Sequence, residues 1–93
     1  MVRAFDALAV GFTSRMTAAD IANYAGLAEQ NGITHMWTTE SAAFRTGFPI
    51  LMAAAAATHK MELGIGTTGV YSRHPAIIAA EAATVDEYSN RRL

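Results

Sequence analysis

Three times in 93 residues, a short apolar run crosses a polar loop and passes into a segment of helical periodicity. The first run covers residues 5–12 and ends at Gly11-Phe12-Thr13. Thr17-Ala18-Ala19-Asp20 then has the form of a capping box with Asp20 in place of the usual Glu, opening a helix over residues 17–31. That helix places Ile21, Ala25 and Ala28 on one face, with Tyr24 and Leu27 beside them. Asn31-Gly32 closes it, because glycine enters the left-handed region without a Cβ penalty. The β-branched and aromatic run over residues 33–38 reads as a second strand, stopping at Thr39-Glu40-Ser41. A second helix over residues 48–58 carries Pro49 in its first turn, where a missing N–H does no harm. Ile50, Leu51, Ala54 and Ala57 fall near one of its faces, but the run from Ala53 to Ala57 is small on every side. Residues 61–66 form a third strand, and Pro75 opens a third helix over residues 75–88 with Ile77, Ile78, Ala82 and Val85 as its apolar stripe. Right-handed crossovers lay three such strands parallel and consecutive, with the helices on one face. The fold class is therefore α/β, and the pattern opens either a closed (β/α) barrel or an open sheet.

Composition narrows what such a unit can do. The chain is 52% apolar and only 16% charged, with a mean hydropathy of +0.17. A small domain has much surface for its volume, so this balance implies faces buried against further polypeptide. A net charge of −1 gives no electrostatic footprint for nucleic acid, and Arg91-Arg92 is too short to be a basic tract. There are no cysteines, which excludes disulfide and thiolate chemistry. The apolar run over residues 49–57 falls far short of the roughly 18 residues a membrane span needs. With one Arg and an apolar run broken by Asp6, the N-terminus does not read as a signal peptide, which implies a cytoplasmic protein.

The stretch from Leu63 to Pro75 carries the sharpest local signal. Gly64 to Gly69 spells G-x-G-x-x-G, but the dinucleotide fingerprint requires a helix to open at its glycines. Here Tyr71, Ser72, Arg73 and His74 intervene, and the acids about 20 residues on, Asp86 and Glu87, fall inside the next helix. What remains is a strand ending in flexible backbone and a polar loop, before a helix pinned by proline.

Several of these segments together resemble one family. Leu27-Ala28-Glu29-Gln30-Asn31-Gly32-Ile33 leading into Met36-Trp37-Thr38-Thr39-Glu40 is similar to the first helix and second strand of the luciferase-like monooxygenase superfamily. Leu63-Gly64-Ile65-Gly66-Thr67-Thr68 with Tyr71-Ser72-Arg73-His74-Pro75-Ala76 resembles that family's third strand and loop. Glu81 to Ser89 with Arg91-Arg92 resembles its third helix and the lead into a fourth strand. The Tyr-Ser-Arg-His-Pro loop is most similar to the methylenetetrahydromethanopterin reductase branch, which uses the deazaflavin coenzyme F420. The resemblance implies the first three βα units of a TIM (β/α)8 barrel of typically about 250 residues, with residues 1–93 a single partial domain.

The same resemblance implies a function and a site. It points to the N-terminal part of an F420- or flavin-dependent oxidoreductase acting on a small molecule, with hydride transfer at the ring. The alternatives are an FMN-dependent monooxygenase relative, and a non-catalytic fragment or assembly subunit that keeps the helix–helix surface. In such barrels the chemistry lies at the C-terminal ends of the strands. The family places a non-proline cis peptide at the position of Gly66–Thr67, as a backbone bulge against the central ring. Thr39, Gly66, Thr67, Thr68 and Gly69 are thus the implied cofactor-binding residues, and Glu40 the implied catalytic acid near the ring. A carboxylate there can steer a proton if burial tunes its pKa. The plainer role for Glu40 is a solvated loop acid or a charge at a helix N-terminus. Ser41 stands where many relatives carry histidine.

The remaining candidates are read more simply. Gly64 and Gly66 also suit a crowded strand in which side chains must be avoided. Arg73 is expected to pair with a nearby acid and His74 to cap the helix at Pro75. His35 and His59 are isolated, no metal-ligand spacing is present, and Trp37 is expected to pack. The family pairs through the helices after its second and third strands, so the helices at 48–58 and 75–88 are the expected surface of a homo-oligomer.

Overall fold

The computed structural model describes residues 7–93; Phe5 and Asp6, with which the first strand is expected to begin, and the N-terminal segment judged for a signal peptide lie outside the described residues. The elements are β1 (Ala9–Phe12), α1 (Ala18–Gln30), β2 (His35–Thr38), α2 (Gly47–Ala57), β3 (Glu62–Ile65) and α3 (Pro75–Tyr88). The strands form one parallel sheet in the order β1-β2-β3. The alternation and the consecutive parallel strands expected of the sequence are both present.

Each strand is shorter than its apolar run, because the ladder survives only where neighbouring main chains pair. At the start of β2, Thr34 N–H bonds to the Leu8 carbonyl at 2.9 Å, and its hydroxyl accepts from Leu8 N–H at 3.1 Å. Side chain replaces ladder there, and the strand proper begins one residue later.

The helix ends follow from capping chemistry. Thr17 sits outside α1 in extended conformation, and its hydroxyl accepts from Asp20 N–H at 3.1 Å. Gly32, with φ at 87°, takes the left-handed position just past the end of α1. At α3, His74 Nδ1 accepts from Ala76 N–H at 3.0 Å and Pro75 follows at N1, which is the capping role expected of His74. By contrast, Thr46 at the head of α2 makes no side-chain cap bond. The donor left there, Gly47 N–H, is taken by a residue from another element (below).

Side chains alternate across the sheet. Met36 and Thr38 are buried toward the helices with Phe12 and Leu63, and Val10 and Ile65 pack beside this core. Ile21 and Ala25 from α1, Leu51 and Ala54 from α2, and Val85 from α3 complete it. Tyr24 and Leu27, flanking the buried stripe of α1, are half-exposed, as is Ile77 on α3.

α2 lies between α1 and α3, and this explains its run of small residues. A Cβ at Gly26 of α1 would come within 3.3 Å of the Ala57 carbonyl, so the first two helices meet almost backbone to backbone. Both flanks of the alanine-rich helix are thus occupied within the chain. At the opposite end from the strand termini, Arg92 closes α2. Its guanidinium donates to the carbonyls of Ala55 at 2.9 Å, Thr58 at 3.2 Å and Met61 at 3.1 Å, and to the Thr58 hydroxyl at 2.7 Å. The Arg92 carbonyl accepts from Leu63 N–H at 2.8 Å, so the segment after α3 lies alongside β3. Among the described residues, no helix is long and apolar enough to cross a membrane.

Candidate active site

Where the three strands end, three loops are tied to one another by side chains. The ladder runs one step past each strand: Thr39 N–H bonds to the Phe12 carbonyl at 3.1 Å, and Gly66 N–H to the Thr38 carbonyl at 2.9 Å. From there the ties are lateral. Thr39 Oγ1 accepts from Ser14 N–H at 2.9 Å, joining the loop after β2 to the loop after β1. Arg45 Nη1 returns across the same gap to the carbonyls of Ser14 at 3.3 Å and Arg15 at 3.1 Å. The Arg15 guanidinium lies 4.6 Å from the centre of the Phe44 ring, a cation–π contact between the same two loops.

Glu40 joins the loop after β2 to the loop after β3. Its Oε1 accepts from the Thr68 hydroxyl at 2.7 Å and from Gly69 N–H at 3.0 Å, while Oε2 accepts from Gly47 N–H at 2.7 Å. Partial burial alone would raise its pKa. The bonds from Gly47 N–H, the Thr68 hydroxyl and Gly69 N–H outweigh that effect, and the nearby Arg73 guanidinium adds to them, holding the carboxyl below its ordinary value. The third bond places the negative charge at the positive end of α2, where the helix lacks its own cap. Glu40 is thus an ionised acceptor with both oxygens engaged. An ionised carboxylate can accept a proton but has none to donate. The helix N-terminal role weighed for it is the one its contacts display.

The loop after β3 is held at its far end as well. Arg73 forms an ion pair with Glu81 of α3 and lies 5.9 Å from the centre of the Phe48 ring. Between these anchors Tyr71 is fully exposed. The pairing expected of Arg73 with a neighbouring acid is therefore present.

The face of the sheet away from the helices carries a glycine on each side of one tryptophan at this end. Gly11, Trp37 and Gly64 stand in register across the three strands, and the indole leans onto Gly64. A Cβ at Gly64 would fall 2.5 Å from the ring, so that glycine exists to seat the tryptophan. For Gly64 the crowding explanation holds. Gly66 is different: a Cβ there would meet the indole at an ordinary 3.5 Å, and the residue is exposed. The peptide bond between Gly66 and Thr67 is cis, at the position the family resemblance implied. On this face the Trp37 indole stands between Gly11 and Gly64, and the exposed main chain at Gly66 lies beside it, where the missing Cβ lets a planar ring approach the backbone closely.

Of the residues singled out from sequence, Glu40, Thr68 and Gly69 are directly bonded together, Gly66 and Thr67 adjoin them in the chain, and Thr39 faces the other way, toward Ser14. Sequence reasoning missed Ser14 and Arg45, which tie the first loop to the second. No local pattern marks either residue, because both act across about 30 positions of chain. Among the described residues, no group of three or more His, Asp or Glu is placed to hold a metal ion.

With this geometry in hand, comparison with known proteins gives a consistent result. The family model described as luciferase-like monooxygenase matches residues 4–93. The 5,10-methylenetetrahydromethanopterin reductase of Methanolobus tindarius is 38% identical over 72 residues, which are 77% of this chain and 22% of that protein. The corresponding reductase of Methanopyrus kandleri is also 38% identical over 72 residues, covering 77% of this chain and 21% of that protein. Among solved structures, the coenzyme F420-dependent tetrahydromethanopterin reductase of Methanopyrus kandleri superposes with a TM-score of 0.86 at 31% identity, over 92% of this chain and 25% of that one. A monooxygenase from Streptomyces bottropensis superposes with a TM-score of 0.75 at 25% identity, over 92% of this chain and 31% of that one. The chain therefore spans about a fifth to a third of the length of the proteins it matches. Its three βα units correspond to one portion of a (β/α)8 barrel.

Proposed function

Because the chain belongs to the luciferase-like monooxygenase family, we propose that it is the ring-holding portion of a coenzyme F420-dependent oxidoreductase acting on a small molecule in the cytoplasm. When bound, the deazaflavin supplies a ring carbon that gives or accepts a hydride, while the protein contributes position and electrostatics. In this reading the main chain from Gly66 to Gly69 lies against the ring, with Thr67 offering a hydroxyl at its edge, Thr68 held to Glu40 and Thr39 steadying the adjoining loop. Glu40, the acid expected near the ring, keeps the loop after β3 in place.

The observation that carries the reading is the exposed glycine main chain at the end of β3, bound laterally to the ends of β2 and α2 through Glu40. It is supported by two reductases at 38% identity and by the F420-dependent structure. A second reading, FMN in place of F420, is favoured by the monooxygenase of Streptomyces bottropensis. A fluorescence titration of the chain with F420 and with FMN separates them. Saturable binding of F420 in preference to FMN is the expected result; preference for FMN selects the second reading, and binding of neither overturns both.

A homo-oligomer formed through α2 and α3 is part of the same proposal. The outward groove between these helices is lined by Phe48, Pro49, Met52, Glu81 and Thr84, mostly apolar and open to solvent.

A further inference from the structure

The family resemblance directs attention to Glu40 as a group that can steer a proton, yet its contacts describe different work. Glu40 reaches three separate pieces of the fold at once: its own position just past β2, the first N–H of α2, and the loop that follows the Gly66–Thr67 bond. Both oxygens are engaged, each on a different partner element. We propose that Glu40 is a positioning residue that sets the height of the Gly66–Thr67 main chain above the sheet by holding Thr68 and Gly69 against the N-terminus of α2. This rests on the reading that the same main chain faces the coenzyme ring.

The geometry explains why one residue can do this. Gly66 is still on the ladder through the Thr38 carbonyl, so one end of the bulge is set by the sheet. Two residues later the Thr68 hydroxyl meets Glu40, and Gly69 N–H follows. Only Thr67 lies between the two points of attachment. If the second is released, the bulge is tethered at one end, and glycine on both sides of the Thr67-Thr68 pair gives the main chain freedom to move. Charge also matters: a carboxylate can accept on both oxygens, whereas a glutamine amide must turn its NH2 toward one of the two sets of donors. The charged groups facing Glu40 are the Arg73 guanidinium, itself paired with Glu81, and the positive end of α2.

A positioning role and a proton-transfer role separate in experiment. Amide hydrogen exchange at Gly47 and Gly69 is measured by NMR on the whole chain, together with F420 affinity by fluorescence, for the native protein and for Glu40→Gln, Thr68→Val and Thr68→Ser. Glu40→Gln is expected to speed exchange at Gly69 and to weaken F420 binding, each about tenfold, as loss of a charge-assisted bond implies. Thr68→Val is expected to reproduce a smaller part of both effects, and Thr68→Ser, which keeps the hydroxyl, to restore native behaviour. Should Glu40→Gln not fold, the two Thr68 variants carry the test by themselves. Unchanged exchange at Gly69 would overturn the proposal, as would faster exchange with unaltered F420 affinity. A native chain that binds neither F420 nor FMN overturns the functional reading instead, and that failure is seen before any substitution is made.

Discussion

The indole of Trp37 rests on Gly64, its direct partner across the β2–β3 ladder, at a distance that leaves no room for a Cβ. One strand thus supplies the space that a ring on its neighbour fills, on the face of the sheet opposite the helices. Gly64→Ala is expected to push the ring off the strand. Trp37 is half-exposed and is the chain's one tryptophan, so its emission reports the displacement directly. The expected result is a red shift with a loss of about 1–3 kcal/mol in urea unfolding. An unshifted spectrum with native stability would show that the contact does not constrain the ring.

A second carboxylate, Glu29 of α1, does for the turn before β3 what Glu40 does beyond it. It accepts from the N–H groups of His59, Lys60 and Met61, at 2.8–3.0 Å. Burial tends to raise its pKa, but the bonds from Lys60, Met61 and His59 prevail, with the charge of His59 adding, and the carboxyl is held below its ordinary value. Glu40 is shifted in the same direction. A carboxylate with a depressed folded pKa binds fewer protons than in the unfolded chain, so its contribution is complete above the unfolded value of about 4.3 and disappears as pH falls through the folded value. Urea unfolding from pH 7 downward is expected to show stability falling below about pH 4.3. The loss should be smaller in the double variant Glu29→Gln/Glu40→Gln, and an equal slope in both proteins would contradict the assignment.

Arg92 joins the ends of two helices to the turn before β3. Besides its four bonds to Ala55, Thr58 and Met61, its Nε donates to the Ser89 carbonyl at 2.6 Å. Replacing it by alanine removes these donors from the carbonyls of Ala55, Thr58 and Met61 and from the Thr58 hydroxyl, and a loss of about 2–4 kcal/mol is expected in chemical denaturation. Lysine is expected to recover little, because an ammonium cannot present the planar fork that reaches these acceptors together. Full recovery by Arg92→Lys would mean that charge, and not shape, is what the site uses.

The groove between α2 and α3 gives the proposed oligomer a specific test. Met52→Lys, in its lining, is expected to shift sedimentation toward the monomer while leaving the far-ultraviolet circular dichroism unchanged. A native chain that is monomeric at high concentration would remove these helices as an interface.

The strand ends at which Thr39, Glu40 and the Gly66–Gly69 stretch lie were legible before any coordinates, because a strand end is a local feature of sequence; the cofactor and catalytic roles expected of these residues came only from the family resemblance. What Glu40 does there was not legible. Its partners are Gly47, Thr68 and Gly69, the last two 28 and 29 positions away, and no periodicity records such a distance. The contacts of Glu29 and Arg92 were not legible for the same reason: a charged residue near a helix end looks like solvated surface until the main chain it serves is folded against it. The alanine run of α2 was legible only as room for close packing. Small residues on every side permit close neighbours without saying whose, and α1 and α3 of the same chain take both flanks.

The sequence by itself determined the order of strands and helices, their approximate limits and the parallel α/β arrangement, because hydrophobic periodicity, capping residues and glycine act within a few residues of where they are written. Tertiary structure alone decided which side chain holds which loop, why Gly64 differs from Gly66, and that the acid after β2 is an ionised tether between elements. Those outcomes depend on the protonation and pairing of groups brought together from distant positions, and burial and hydrogen bonding set them only once the chain has closed around them.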